Sequence, residues 1–240
     1  MADTLNQTFE ERLQEIEAYL DLLEALERQV QTGPPVIGGA TITTQQQKIL
    51  YSCVFLQLYN LIEATVTWCV SAVSEAASEQ GRWKPGDLTA KLRREWVRAT
   101  ARTHIDLNQE NRLDCAVELC ELLIRSSPVS KFTVAIRANW DDQEIETITE
   151  RIGCELQISK DVLQGIKRHI RDDKGALALI RDLRNRLGHG SLSFSECGAG
   201  MTVPELRDLK QRTALYLREV VAGFRAYIDS YEFLVPARRP

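Results

Sequence analysis

The sequence predicts an all-α fold, a helical bundle with at most one minor strand. Three observations carry it. Apolar residues recur at spacings of three and four in nearly every hydrophobic segment. Glycine and proline clusters separate those segments. A single short stretch, around Phe132, Val134 and Ile136, alternates apolar with polar residues instead.

Phe9, Leu13, Ile16, Leu20 and Leu23 place one apolar stripe on a first helix over about residues 8–31, which Gly33-Pro34-Pro35 stops. Residues 1–31 hold eight acids and two arginines, a net of −6, and read as a solvated acidic face. A second helix over about residues 44–78 is apolar on most sides and is therefore placed at the centre. Its uncharged runs, 14 residues from Ile49 to Ile62 and 11 from Ala64 to Ser74, are separated by Glu63. Spanning a bilayer takes about 20 consecutive apolar residues, so a core helix is expected and no membrane association.

Two helices follow, Leu88 to Thr103 with Leu92, Trp96 and Ala99 on one face, and Glu110 to Arg125 with Leu113, Val117, Cys120 and Ile124 on one face. Residues 130–137 read as the minor strand or an extended connection. Asp141 and Asp142 are N-cap signals for a helix from Glu144 to Ile152. Lys160 to His169 and Lys174 to Leu187 are helical, and Pro204 opens the last helix, whose apolar residues run to Tyr231. No repeat or Gly/Ser linker divides the chain. The expectation is one domain over residues 1–240, with core helices at about 8–31, 44–78, 174–188 and 204–233 and an insertion over about 81–160.

With 34 acidic and 30 basic side chains the formal charge is −4, so nothing global attracts nucleic acid or an anionic membrane, and any such binding must come from a local patch. Six scattered cysteines without a C-x-x-C pair, and only three histidines, argue against zinc and disulfide frameworks. No metal and no cofactor is expected. The N-terminus runs into acidic helix without the basic start and apolar stretch of a secretory signal, which favours a reduced, cytoplasmic protein.

The local patch lies between Lys167 and Arg186, where seven basic residues face three acids for a net of +4. It leads into Arg184-Asn185-Arg186-Leu187-Gly188-His189-Gly190, an R-x4-H arrangement at a helix end. Cleaving RNA through its own 2′-hydroxyl needs a proton carrier near neutral pH and a fixed cation for the phosphorane charge. Histidine and arginine fit those roles. His189 and Arg184 are thus the candidate catalytic pair, Asn185 the residue that orients phosphate or imidazole, and Arg186, Lys174 and Arg181 the cations for RNA backbone. On an ideal helix Arg184 and His189 point about 140° apart. Gly188 and Gly190 therefore predict unwinding at His189, and a second subunit completing the site would relieve the same problem. The bland alternative is a histidine that merely caps a helix C-terminus.

The segment from Arg184 to Gly198, RNRLGHGSLSFSECG, resembles the signature of the HEPN superfamily (higher eukaryotes and prokaryotes nucleotide-binding), in its MAE-type prokaryotic HEPN-like nuclease branch. Tyr59-Asn60-x-x-Glu63 is similar to a second element of that branch, and Asn139-Trp140-Asp141 through Gly153 resembles a third. The likeness runs over roughly residues 9–233. It implies an all-α bundle, a homodimer with facing R-x4-H motifs, and metal-independent endoribonuclease activity in toxin–antitoxin or antiphage systems, with an antitoxin or defence-complex protein as partner. On that resemblance Arg184 and His189 match the catalytic pair and Asn185 the polar position after the arginine. Ser191 stands where some HEPN toxins carry a modifiable tyrosine, so that form of control is not expected.

Asn60 and Glu63 lie one turn apart on the apolar helix, so both are expected to be buried on the same side, with Glu63 positioning Arg184. His169 reads as a solvated member of the basic patch, and Trp68, Trp83, Trp96 and Trp140 as core or interface aromatics. Two other function classes fit the same sequence: a HEPN-like module that binds RNA or nucleotide without cutting, and a helical scaffold subunit.

Overall fold

A computed structural model describes residues 2–136 and 139–240. Among them the chain forms α1 (Ala2–Val30), α2 (Thr44–Ala77), α3 (Ala90–Thr100), α4 (Gln109–Ile124), α5 (Asp142–Ile152), α6 (Lys160–Lys167), α7 (Ala176–Gly188), α8 (Phe194–Cys197) and α9 (Val203–Asp229). The fold is all-α, and α1 begins six residues before the expected position.

α2 starts where Thr43 and Gln46 form a reciprocal capping box, Gln46 N–H donating to the Thr43 hydroxyl and Thr43 N–H to the Gln46 side chain. By length and composition α2 could cross a membrane. It is instead the central element of this bundle, packed against α1, α7, α8 and α9. Val54, Phe55, Leu58, Ile62 and Val66 on α2 meet Leu20 and Leu23 of α1 and Leu217, Val220 and Phe224 of α9 in one continuous core. At α8 the approach is close enough that a Cβ on Gly198 would stand 1.9 Å from the Lys48 carbonyl oxygen, so only glycine fits there.

The acidic face of α1 is not simply solvated. Arg207 of α9 donates to Glu17 at 2.5 Å, Asp21 at 2.6 Å and Glu24 at 2.7 Å. Lys210 also pairs with Glu17, and Arg218 grips Glu10 through two bonds of 2.9 and 3.0 Å. Four of the eight acids thus seam α1 to α9, a pairing between distant segments that helical periodicity does not encode.

The minor strand also lies elsewhere. β1 (Val36–Ile37) and β2 (Ala40–Thr41) pair antiparallel around Gly38 and Gly39, whose φ values of 57° and 86° suit a two-residue hairpin turn. Residues 130–136 have no strand neighbour; residue 137 lies outside the described residues. Phe132 and Val134 are buried while Lys131 and Thr133 are exposed, so the alternation reflects an extended connection laid on the core. It is pinned by Val129 N–H donating to Trp83 at 2.8 Å and by Arg151 donating to the Ala135 carbonyl at 3.0 Å. Arg151 and Arg98 satisfy the buried Glu95 carboxylate, tying α3 to α5.

On α4 the expected apolar face is outward. Leu113, Val117 and Ile124 are 57%, 49% and 82% exposed, and the core side is carried by buried Cys115 with partly buried Leu119 and Leu122.

Candidate active site at the end of α7

α7 buries Leu177, Ile180, Leu183 and Leu187 against the core, which turns Arg181, Arg184 and Asn185 along its flank. Its C-terminus is a full Schellman motif. Ser191 N–H donates to the Arg186 carbonyl at 3.0 Å and Gly190 N–H to Leu187 at 3.2 Å, with Gly190 left-handed at φ 70°. The expected unwinding at His189 is therefore present, with His189 as the last residue before the turn, at φ −91° and ψ 0°. Its side chain is exposed and forms no hydrogen bond or ion pair among the described residues.

Arg184 is held from three sides. Its guanidinium carbon stands 4.3 Å from the Tyr59 ring centroid, Nη1 donates to the Asn185 side-chain oxygen at 3.0 Å, and Nη2 lies 3.9 Å from a Glu63 oxygen. The last distance is an ion pair and not a hydrogen bond, and with both side chains about one-third exposed it contributes about 1 kcal/mol at most. The stacking places the cation over an aromatic face, where guanidinium is favoured over ammonium.

A second layer fixes this arrangement. Asn185 donates to the Asn139 side chain at 2.9 Å. The Trp140 N–H donates to the Tyr59 hydroxyl at 3.3 Å. Asp141 caps α5, accepting from Glu144 N–H at 2.9 Å, and its other oxygen pairs with Arg181. Burial pushes the Tyr59 hydroxyl above its ordinary value, against the opposing Trp140 N–H and Arg184 charge, so this phenol is neutral at pH 7 and serves as a platform, not a base.

The other sequence-derived candidates fall in two places. Lys174, just ahead of the α7 N-cap Gly175, pairs with Asp182 at 2.8 Å, and Arg186 lies 3.8 Å from the same carboxylate. Asn60 is not buried beside Glu63. It is exposed and lines a shallow groove with Arg12, Glu15 and Gln57, because Tyr59 and Glu63, four residues apart, take the α7 side of α2. No group of three or more metal-ligating side chains occurs among the described residues. Tyr59, Asn139 and Asp141 carry the contacts at the site, and residue type and spacing alone assign none of them a role there. The only signal was their place in the second and third segments that resemble the branch.

The three segments that carry that resemblance therefore meet at one place, α2 through Tyr59 and Glu63, the connection through Asn139 to Asp141, and α7 through Arg181 to Asn185. A family model for HEPN_MAE_28990-like HEPN domains matches residues 1–233. The chain belongs to this HEPN-like family. No curated protein and no solved structure matches it. In the HEPN-like domain, Arg184 is a clamped, partly exposed cation and His189 an unpartnered imidazole some five residues further along the same helix.

Proposed function

We propose that this HEPN-like domain is a metal-independent endoribonuclease that cuts single-stranded RNA by attack of a 2′-hydroxyl on its own adjacent phosphate. HEPN domains are in general ribonucleases or nucleotide binders, which supports the class. The observation that carries the reading to this chain is the clamping of Arg184 by Tyr59, Asn185 and Glu63 on a helix whose C-cap, His189, has an exposed imidazole without a partner among the described residues.

His189 takes the 2′-hydroxyl proton as general base, a role worth about 10²- to 10⁴-fold in rate. The freed oxygen attacks phosphorus, Arg184 stabilises the crowded phosphorane, and the 5′-oxygen leaves with a proton, giving 2′,3′-cyclic phosphate and 5′-hydroxyl ends. Asn185 orients the arginine. Arg186 and Lys174, each shared with Asp182, bind RNA backbone; Arg181, held by Asp141, acts first as a strut and offers phosphate only its exposed edge. Because Arg184 and His189 diverge on one helix, two copies meet through the 174–200 region so that one histidine serves as base and the other as acid. Such an enzyme acts as a toxin or antiphage effector under the control of an antitoxin or defence-complex protein.

Expression tests this reading. The wild-type protein is expected to inhibit growth of its host and His189→Ala to relieve it, with RNA still retained by the variant. Equal toxicity of the two would overturn the enzyme, and RNA binding without cleavage by the wild type would establish the binding module instead.

A further inference from the structure

A cavity of about 680 Å³ that Arg184 does not line lies between α5, α6 and α9. Its size is that of a small-molecule site. Asp142, Glu146 and Glu150 enter it from one face of α5, and with Glu155 they outnumber Lys91 and Lys167 four to two, a formal −2. None of these carboxylates has an ion-pair partner among the described residues. An acidic wall alone is ordinarily just solvated. Here it encloses something else: Tyr216, only 4% exposed, lines the same cavity with a hydroxyl that makes no hydrogen bond to any described residue. With no protein partner among the described residues and not sealed from solvent, this hydroxyl opens onto the cavity, where an entering N–H donor can reach it. Burial first, and then the charges of Asp142 and Glu146, hold this phenol above its ordinary value, so it stays neutral beside those carboxylates.

We propose that this cavity binds a small linear organic polycation, a di- or polyamine. An ammonium group supplies N–H donors for Tyr216 and a counter-charge for Glu146 and Glu150, which have no ion-pair partner among the described residues, whereas Asp142 already feels Lys167 and Arg181. Asp142, Glu146 and Glu150 recur every four residues, about 6 Å apart along the axis at 1.5 Å per residue, a spacing that three or four methylenes between amines can bridge. Leu156, Ile158 and Leu163 on the other wall suit those methylenes. The site does not depend on the RNA-cleavage reading.

The test is calorimetric titration of the full-length, RNA-free protein with spermidine at fixed ionic strength, with sodium chloride and inorganic phosphate as controls. One saturating spermidine per chain is expected. Glu146→Gln combined with Glu150→Gln should weaken it at least tenfold, and Tyr216→Phe severalfold with an unchanged melting profile. Glu118→Gln, an exposed acid on α4, should leave affinity unaltered. Absence of saturable binding, wild-type affinity in the double variant, equal loss in Glu118→Gln, or preference for phosphate would each overturn the proposal.

Discussion

The guanidinium of Arg184 stacks on Tyr59 at 4.3 Å, and the same tyrosine accepts a hydrogen bond from the Trp140 backbone. One buried side chain thus links α2, the 139–141 connection and α7. Tyr59→Phe keeps the ring but leaves the Trp140 N–H without its acceptor, and should cost about 1 kcal/mol. Tyr59→Ala removes the platform and opens a cavity, costing about 3–5 kcal/mol. Chemical denaturation of both variants checks the order. Arg184→Lys should retain stability yet lose most RNA cleavage, since an ammonium reproduces neither the stacking nor the fork of donors.

Asp141 does two jobs from a nearly buried position, capping α5 and pairing with Arg181. Asp141→Ala leaves that cation without its partner and the first turn of α5 without its cap, for a combined loss of about 3 kcal/mol. At about 2–4 °C per kcal/mol for a chain of this size, the melting temperature should fall by about 6–12 °C. A fall under about 2 °C would show the pair to be solvated.

Asp141 also marks how far the sequence could be read. Its capping role was legible, because an aspartate ahead of an amphipathic run is a local signal. Its bond to Arg181 was not, since the partner lies 40 residues away and nothing in the chain pairs them. The helices, the Gly190 turn and the Arg184–His189 motif are likewise local patterns. Asn60 was misplaced because α2 is apolar all round, so its periodicity does not say which side a polar residue takes. The outward face of α4 shows the converse, a stripe that marks a helix without proving that anything covers it.

Stability should respond to pH through two carboxylates with opposite signs. Burial raises Asp142 above its ordinary value, so the stability tied to its proton is present below about pH 4 and lost as pH rises through the higher folded value. Asp142→Asn should therefore melt above wild type at pH 7, the gap narrowing toward pH 4. Glu17 is lowered, first by the Lys210 hydrogen bond and also by Arg207, so its contribution is present above about pH 4.3 and lost as pH falls through its folded value. Glu17→Gln should melt below wild type at pH 7 and converge with it in acid. Melting curves between pH 3 and 7 read both.

α4 buries only Cys115 and touches the body of the protein mainly through α3. Its amides should exchange with deuterium faster than those of α2 or α9, which lie at the high-stability end of the fold. Protection of α4 equal to α2 would mean that a partner or second copy covers its apolar face in solution.

The central claim is chemical, and an RNA digest tests it most directly. Purified wild type, Arg184→Ala and His189→Ala are each incubated with single-stranded RNA and with the matching DNA, with and without a chelator. The account predicts that the wild type cuts RNA but not DNA, which lacks the 2′-hydroxyl. Cutting should be undiminished by chelation and leave 2′,3′-cyclic phosphate ends, while each variant loses at least a hundredfold. Cleavage retained in full by both variants, or dependent on added magnesium, would contradict it.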